Sequence, residues 1–143
     1  MKVSGKVLFR SSVQRVYAHL ARGVFAHAVD SAPDDTQLLL ALTLLTRYET
    51  KLWRWTIVTT EEAMLVPDER ITWRHVDGPL TGSVETFALS ALAGGGTIAN
   101  YTGGVRARNP WFRGPGDRFF VAPMTRRVSM AALEQARREV DGA

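Results

Sequence analysis

The chain has 143 residues, 45% hydrophobic and 22% charged, with a net charge of +4 and no cysteine. That is the size and balance of one soluble globular domain, expected over 1–143 and long enough to bury a core; the missing thiols exclude disulfides and thiolate metal sites. The longest near-continuous apolar run, 38–45, is far shorter than the roughly 20 residues of a membrane span, and the N-terminal MKVSGKVLFR lacks a signal-peptide core, so a cytoplasmic location is expected.

In chain order, Val3, Val7 and Phe9 alternate with polar residues and predict a strand over 2–10. Ser11-Ser12 offers an N-cap, and Val13, Val16, Tyr17 and Leu20 recur at helical spacing, with Gly23 expected to stop that helix. Residues 24–29 read as an edge strand or helical stub, and Ser31 to Asp35 as a turn. The leucine-rich run 36–48 has helical propensity, but its place between a turn and a second alternating run, 52–60, predicts a strand packed on both sides. Strands over 71–76, 83–89 and 97–106 complete an antiparallel meander, separated by Pro67-Asp68, Asp77-Gly78-Pro79 and Gly94-Gly95-Gly96. From 117 to 140 the period changes: Phe120, Met124, Val128, Ala131, Ala132 and Gln135 form the stripe of a long amphipathic helix that Pro123 should kink or restart.

Arginine supplies 15 of the 18 basic residues, eight of them in the last third. A basic face could meet nucleic acid or an anionic surface, yet no helix-turn-helix, zinc or aromatic RNA-binding signature accompanies it. A solvated helix face explains the charge more simply, and no specific nucleic-acid partner is expected.

The text around these turns resembles a known family. Trp55-Thr56-Ile57, Thr60-Glu61-Glu62, Pro67 through Arg74, and Gly78 with Gly82 read like the central strands of the START-like helix-grip superfamily (SRPBCC), which includes polyketide cyclase/dehydrase, lipid-transport and coenzyme-Q-binding proteins. Gly95-Gly96-Thr97 with Tyr101 is similar to its last turn and strand, and Pro110-Trp111-Phe112 to its approach to the final helix. The resemblance implies an α+β helix-grip fold, a curved antiparallel sheet wrapped around a long C-terminal helix. Residues 22–30 leave little room for the family's second helix, which should be shortened.

Such a fold implies a cavity between sheet and helix. If Arg54, Arg70, Thr72 and Arg74 face water, parity turns Trp53, Trp55, Ile57, Trp73 and His75 inward, and Tyr101 with Val105 follow if Arg106 faces out. Phe87 is counted with them, although the parity of 83–89 is open. Phe120, Met124 and Val128 would form the roof and Trp111 and Phe112 the entrance. Small Ala131 and Ala132 could leave a gap beneath large sheet residues; the alternative is that the side chains interdigitate to native density.

His75 is the one candidate acid or base, against the plainer reading of a hydrogen-bonded structural histidine. Glu61 and Glu62 precede a turn and read as solvated. No Ser-His-Asp set and no HExxH spacing is present, so neither a metal nor a cofactor is expected; the glycine run 94–96 joins two strands and is no phosphate loop. The expected partner is a small hydrophobic molecule (a lipid, isoprenoid or aromatic, polyketide-like metabolite) held by a carrier or sensor. The alternatives are a polyketide cyclase/dehydratase-like enzyme using the same cavity and a basic adaptor touching RNA, ribosome or anionic membrane through its arginine-rich helix.

Overall fold

The computed structural model describes residues 1–29, 41–52, 54–109 and 117–142. Its elements are β1 (Lys2–Phe9), α1 (Val13–Ala26), β2 (Leu42–Leu52), β3 (Trp55–Val66), β4 (Arg70–Asp77), β5 (Val84–Ala91), β6 (Thr97–Gly104), a π-helical turn (Asp117–Val121) and α2 (Ala122–Asp141). The strands form one curved antiparallel sheet in the order β1-β6-β5-β4-β3-β2. The turn expected at 31–35, the start of the 36–48 strand, Trp53, and the approach loop with Trp111 and Phe112 lie outside the described residues.

Local chemistry accounts for most boundaries. The Ser12 hydroxyl accepts from the Arg15 N–H and caps α1. Gly23 does not stop that helix: Ala21, Val24 and Phe25 are all buried, and their packing outweighs the roughly 1 kcal/mol that an internal glycine costs. The chain then bridges to β2 at Ala28 and Thr46, and His27 stacks on Tyr48 with ring centroids 4.5 Å apart. β2 is an edge strand, with Leu45 exposed on its outer face, and is not packed on both sides as its apolar composition implied. Pro123 lies in the first turn of α2, where its missing N–H is harmless, so the helix restarts there after the π-helical turn.

The largest departure is β3, which runs to Val66 and so includes Glu61 and Glu62. Val66 pairs with Arg70 across the Pro67-Asp68 turn, where Asp68 takes φ 60°, a left-handed conformation that aspartate tolerates. The ladder brings Glu61 opposite His75; beyond it a β-bulge skips Val76, so that Thr60 pairs with Asp77.

The core fills only part of the concave face. Val7, Phe9, Leu65, Ile71, Leu89 and Ala99 of the sheet pack with Val16, Tyr17, Ala21, Val24 and Phe25 of α1 and with Leu133 and Ala136 of α2. Met130 of α2 packs directly over Gly5 of β1, where a Cβ would lie 2.5 Å from Met130 Sδ. At its C-terminal end the Asp141 carboxylate accepts from the Arg10 and Ser11 N–H groups and from the Ser11 hydroxyl, tying α2 to the β1–α1 turn. The N-terminal half of α2 is different: Met124 and Val128, with Phe120 of the π-helical turn before it, remain exposed above the sheet.

Candidate functional site

Under that half of α2 lies a cavity of about 860 Å³. β2 contributes Tyr48 and Thr50, β3 contributes Ile57, Thr59 and Glu61, β4 contributes Trp73 and His75, and β5 contributes Glu85 and Phe87. Phe120, Val121, Met124, Thr125, Val128, Ser129 and Ala132 form the helical wall, with Pro79, Leu80, Ala107, Arg108 and Asn109 at one end.

Of the wall residues expected from sequence, Ile57, Trp73, His75, Phe87, Phe120, Met124 and Val128 line this cavity. Tyr101 is fully buried behind it. Trp55 is 64% exposed and stands off the wall. It has the inward parity of Ile57, but β4 pairs with β3 no further than Thr60, so the hairpin end carrying Trp55 runs past the sheet's middle strands. Ala131 and Gln135, assigned to the apolar stripe, are exposed; the buried stripe of α2 is Ala122, Thr125, Leu133 and Ala136. Trp53, Trp111 and Phe112 fall outside the described residues.

The polar centre of the cavity was only a third foreseen. His75 is 4% exposed, and its Nε2 lies 2.8 Å from Glu85 Oε2 and 3.0 Å from Glu61 Oε1. Glu85 is held from its other side: the Tyr101 and Ser129 hydroxyls each donate to Oε1 at 2.7 Å. The Thr46 hydroxyl donates to the Glu61 carbonyl and fixes that stretch of backbone. Gly103 makes room for the Tyr101 ring, since a Cβ there would fall 2.7 Å from its hydroxyl and 3.0 Å from Val3 Cγ2. Nearby, Trp73 Nε1 donates to the Tyr48 hydroxyl, and the Trp73, Phe87 and Tyr101 rings pack edge to face.

Electrostatics follow from this packing. Burial alone would depress the His75 imidazole, but hydrogen bonds and attraction from Glu61 and Glu85 outweigh it and push it up to about 9. Burial opposes ionisation of Glu85, yet bonds from His75, Ser129 and Tyr101, with the imidazolium charge, hold its carboxyl below the usual range. Burial pushes the Tyr48 phenol up to about 12 and raises Tyr101 further. The result is an imidazolium between two carboxylates, a buried group of net charge −1. His75 Nδ1 is buried without a partner.

Glu61, His75 and Glu85 each offer a ligand atom, all within 4.8 Å of one another, so the set could hold a metal ion; a single shared imidazolium proton accounts for the same closeness. Sequence reasoning missed Glu61, although the signal was present: Glu61 and His75 each lie seven residues from Asp68 and must pair if the hairpin is regular. Glu85, Tyr101 and Ser129 meet from β5, β6 and α2, and no local pattern joins them.

Elsewhere, the arginine-rich helix spends part of its charge internally. Arg126 Nε donates to the Ser4 carbonyl at 2.6 Å, and Arg137 pairs with Glu134. No helix among the described residues is long and apolar enough to cross a membrane.

No family model matches the sequence, and no curated protein matches it significantly. Solved structures do. The di-domain ARO/CYC BexL from the BE-7585A biosynthetic pathway aligns with a TM-score of 0.72 at 16% identity, over 100% of this chain and 50% of that one, so the chain spans half its length. The Zhui aromatase/cyclase from Streptomyces sp. R1128 aligns with a TM-score of 0.68 at 14% identity, over 98% and 93%. A START superfamily protein from Mycobacterium smegmatis aligns with a TM-score of 0.55 at 15% identity, over 99% and 94%. At such identities the likeness is one of fold, and in its sheet order and long C-terminal helix the chain has the START-like helix-grip fold.

Proposed function

We propose that the chain binds a small hydrophobic molecule between its sheet and α2, as a carrier or sensor. The observation that carries this reading is the cavity of about 860 Å³, walled by Ile57, Trp73, Phe87, Met124 and Val128 with polar groups gathered at one place. Ligand sites typically enclose about 300–1,000 Å³ of mostly apolar wall with a few convergent polar groups. A packed core would have closed this space; here the apolar residues of α2 stay exposed above the sheet. The test is native mass spectrometry of freshly purified protein, with titration of an uncharged hydrophobic fluorescent probe. A co-purifying small molecule, or saturable one-site probe binding, is expected. Absence of both removes the proposal.

A second reading is favoured by the Glu61–His75–Glu85 cluster at the cavity wall. A buried imidazolium and carboxylate pair can move protons at a polyketide-like chain held in the same space, as in a cyclase or dehydratase, and two structural neighbours are aromatase/cyclases by name. Positioning would supply much of such a rate. His75→Gln should then abolish turnover of a reactive polyketide analogue and leave probe affinity nearly intact; unchanged turnover sinks this reading.

A further inference from the structure

We propose that the cavity selects apolar ligands whose head group donates hydrogen bonds and carries no negative charge, an ammonium before a hydroxyl, with the Glu61 carboxylate as acceptor. The inference rests on the hydrophobic-ligand reading and adds the chemistry of the head group.

Several donors around the cluster are already committed. His75 Nε2 points at both carboxylates, and the Tyr101 and Ser129 hydroxyls both donate to Glu85 Oε1. Trp73 Nε1 donates to Tyr48, and the Thr125 hydroxyl turns back to the Val121 carbonyl. Glu85 thus receives three hydrogen bonds. Among the described residues, the Glu61 side chain receives one, the contact that it shares from His75. A carboxylate has about four lone-pair positions, so Glu61 retains most of its accepting capacity. It is 7% exposed, and it lines the cavity. What Glu61 offers a ligand is therefore acceptance.

Charge points the same way. With His75 as an imidazolium between the two carboxylates, the cluster carries −1. Besides His75, the cation among the described lining residues is Arg108, which is 70% exposed and lies 3.8 Å from Asp77. Its side chain stands largely in the solvent, whereas the cluster is buried. A carboxylate or phosphate head beside Glu61 would meet like charge in a poorly hydrated space, where screening is weak. A protonated amine would complete the pairing that the cluster lacks.

The test is displacement of an uncharged hydrophobic probe at pH 7 by dodecylamine, dodecanol and dodecanoate, which share one chain length, and by methyl dodecanoate as a neutral ester without a donor. Dodecylamine should displace at concentrations at least about tenfold below dodecanoate, with dodecanol between them. In Glu61→Gln the gap between amine and carboxylate should shrink to about threefold or less, while dodecanol changes little. Equal or tighter binding of dodecanoate overturns the inference on wild-type protein alone, whether or not the variant folds. So does a gap that Glu61→Gln leaves unchanged while its near-ultraviolet dichroism stays native. If the ester displaces the probe and no head group is preferred, the cavity reading stands and this one falls. If the probe does not bind, both fall.

Discussion

The Nε2 of His75 lies 2.8 Å from Oε2 of Glu85, and that contact, with Glu61 on the same nitrogen, keeps a 4%-exposed histidine cationic near neutral pH. An isolated buried imidazole would lose its proton instead. Nuclear magnetic resonance of the histidine ring protons should therefore find His75 titrating at about 9. Glu85→Gln removes one of the two carboxylates and should lower that value by about one unit or more. A midpoint near 6.5 in the native protein would contradict the arrangement.

Stability should depend on pH through the same groups. The imidazole of His75 is raised from 6.5 to about 9, so its contribution is complete below 6.5 and is lost as pH rises through 9. The Glu85 carboxyl is lowered from 4.5, so its contribution is present above 4.5 and is lost as pH falls further. Both are complete between about 4.5 and 6.5. The histidine part is on the order of 3 kcal/mol. Denaturant midpoints measured from pH 4 to 10 should fall on the alkaline side, and His75→Gln should flatten that limb.

The two halves of α2 should respond oppositely to substitution. Leu133 is fully buried in the core, and Leu133→Ala should cost about 2–5 kcal/mol while probe binding survives in the folded fraction. Val128 is 43% exposed on the cavity wall, and Val128→Trp should fill the space with stability changed by less than about 1 kcal/mol. Probe affinity should fall at least about tenfold. Thermal melts and probe titrations on both variants check the contrast; unaltered binding in Val128→Trp would mean that the probe sits elsewhere.

Gly103 and Tyr101 form a pair in which one residue's missing side chain seats the other's hydroxyl. Gly103→Ala would place a Cβ 2.7 Å from that hydroxyl and should cost about 1–3 kcal/mol as the ring is displaced. Tyr101→Phe keeps the ring and removes a donor from Glu85, so it should cost less and shift the His75 titration. Calorimetry together with the histidine resonance separates the packing effect from the hydrogen bond.

Much of the fold was legible because its signals are local. Period-two alternation in 2–10 and 97–106, the Pro67-Asp68 turn and the three-and-four spacing after 117 each depend on neighbours in the chain, and each appears near its expected place. The inward parity of Trp73 and His75 could be read from the arginines beside them. Gly23 misled because local propensity for a helix end is weak against three buried side chains around it. Ending a strand at 60 made Glu61 a solvated residue, when its distance from Asp68 paired it with His75.

Amino-acid order thus carried the elements, their sequence and one member of the polar cluster. The rest depended on distances between elements remote in the chain. Glu85 meets Ser129 across 44 residues, and their attraction has no periodic trace. Cavity and core are built from the same residue types on the same helix; what separates them is that α2 closes on β1 at Gly5 and Met130 and stands off β3 and β4 near Val128. Backbone geometry makes that difference, and hydrophobicity alone does not encode it, because burial rewards any apolar contact that the backbone allows.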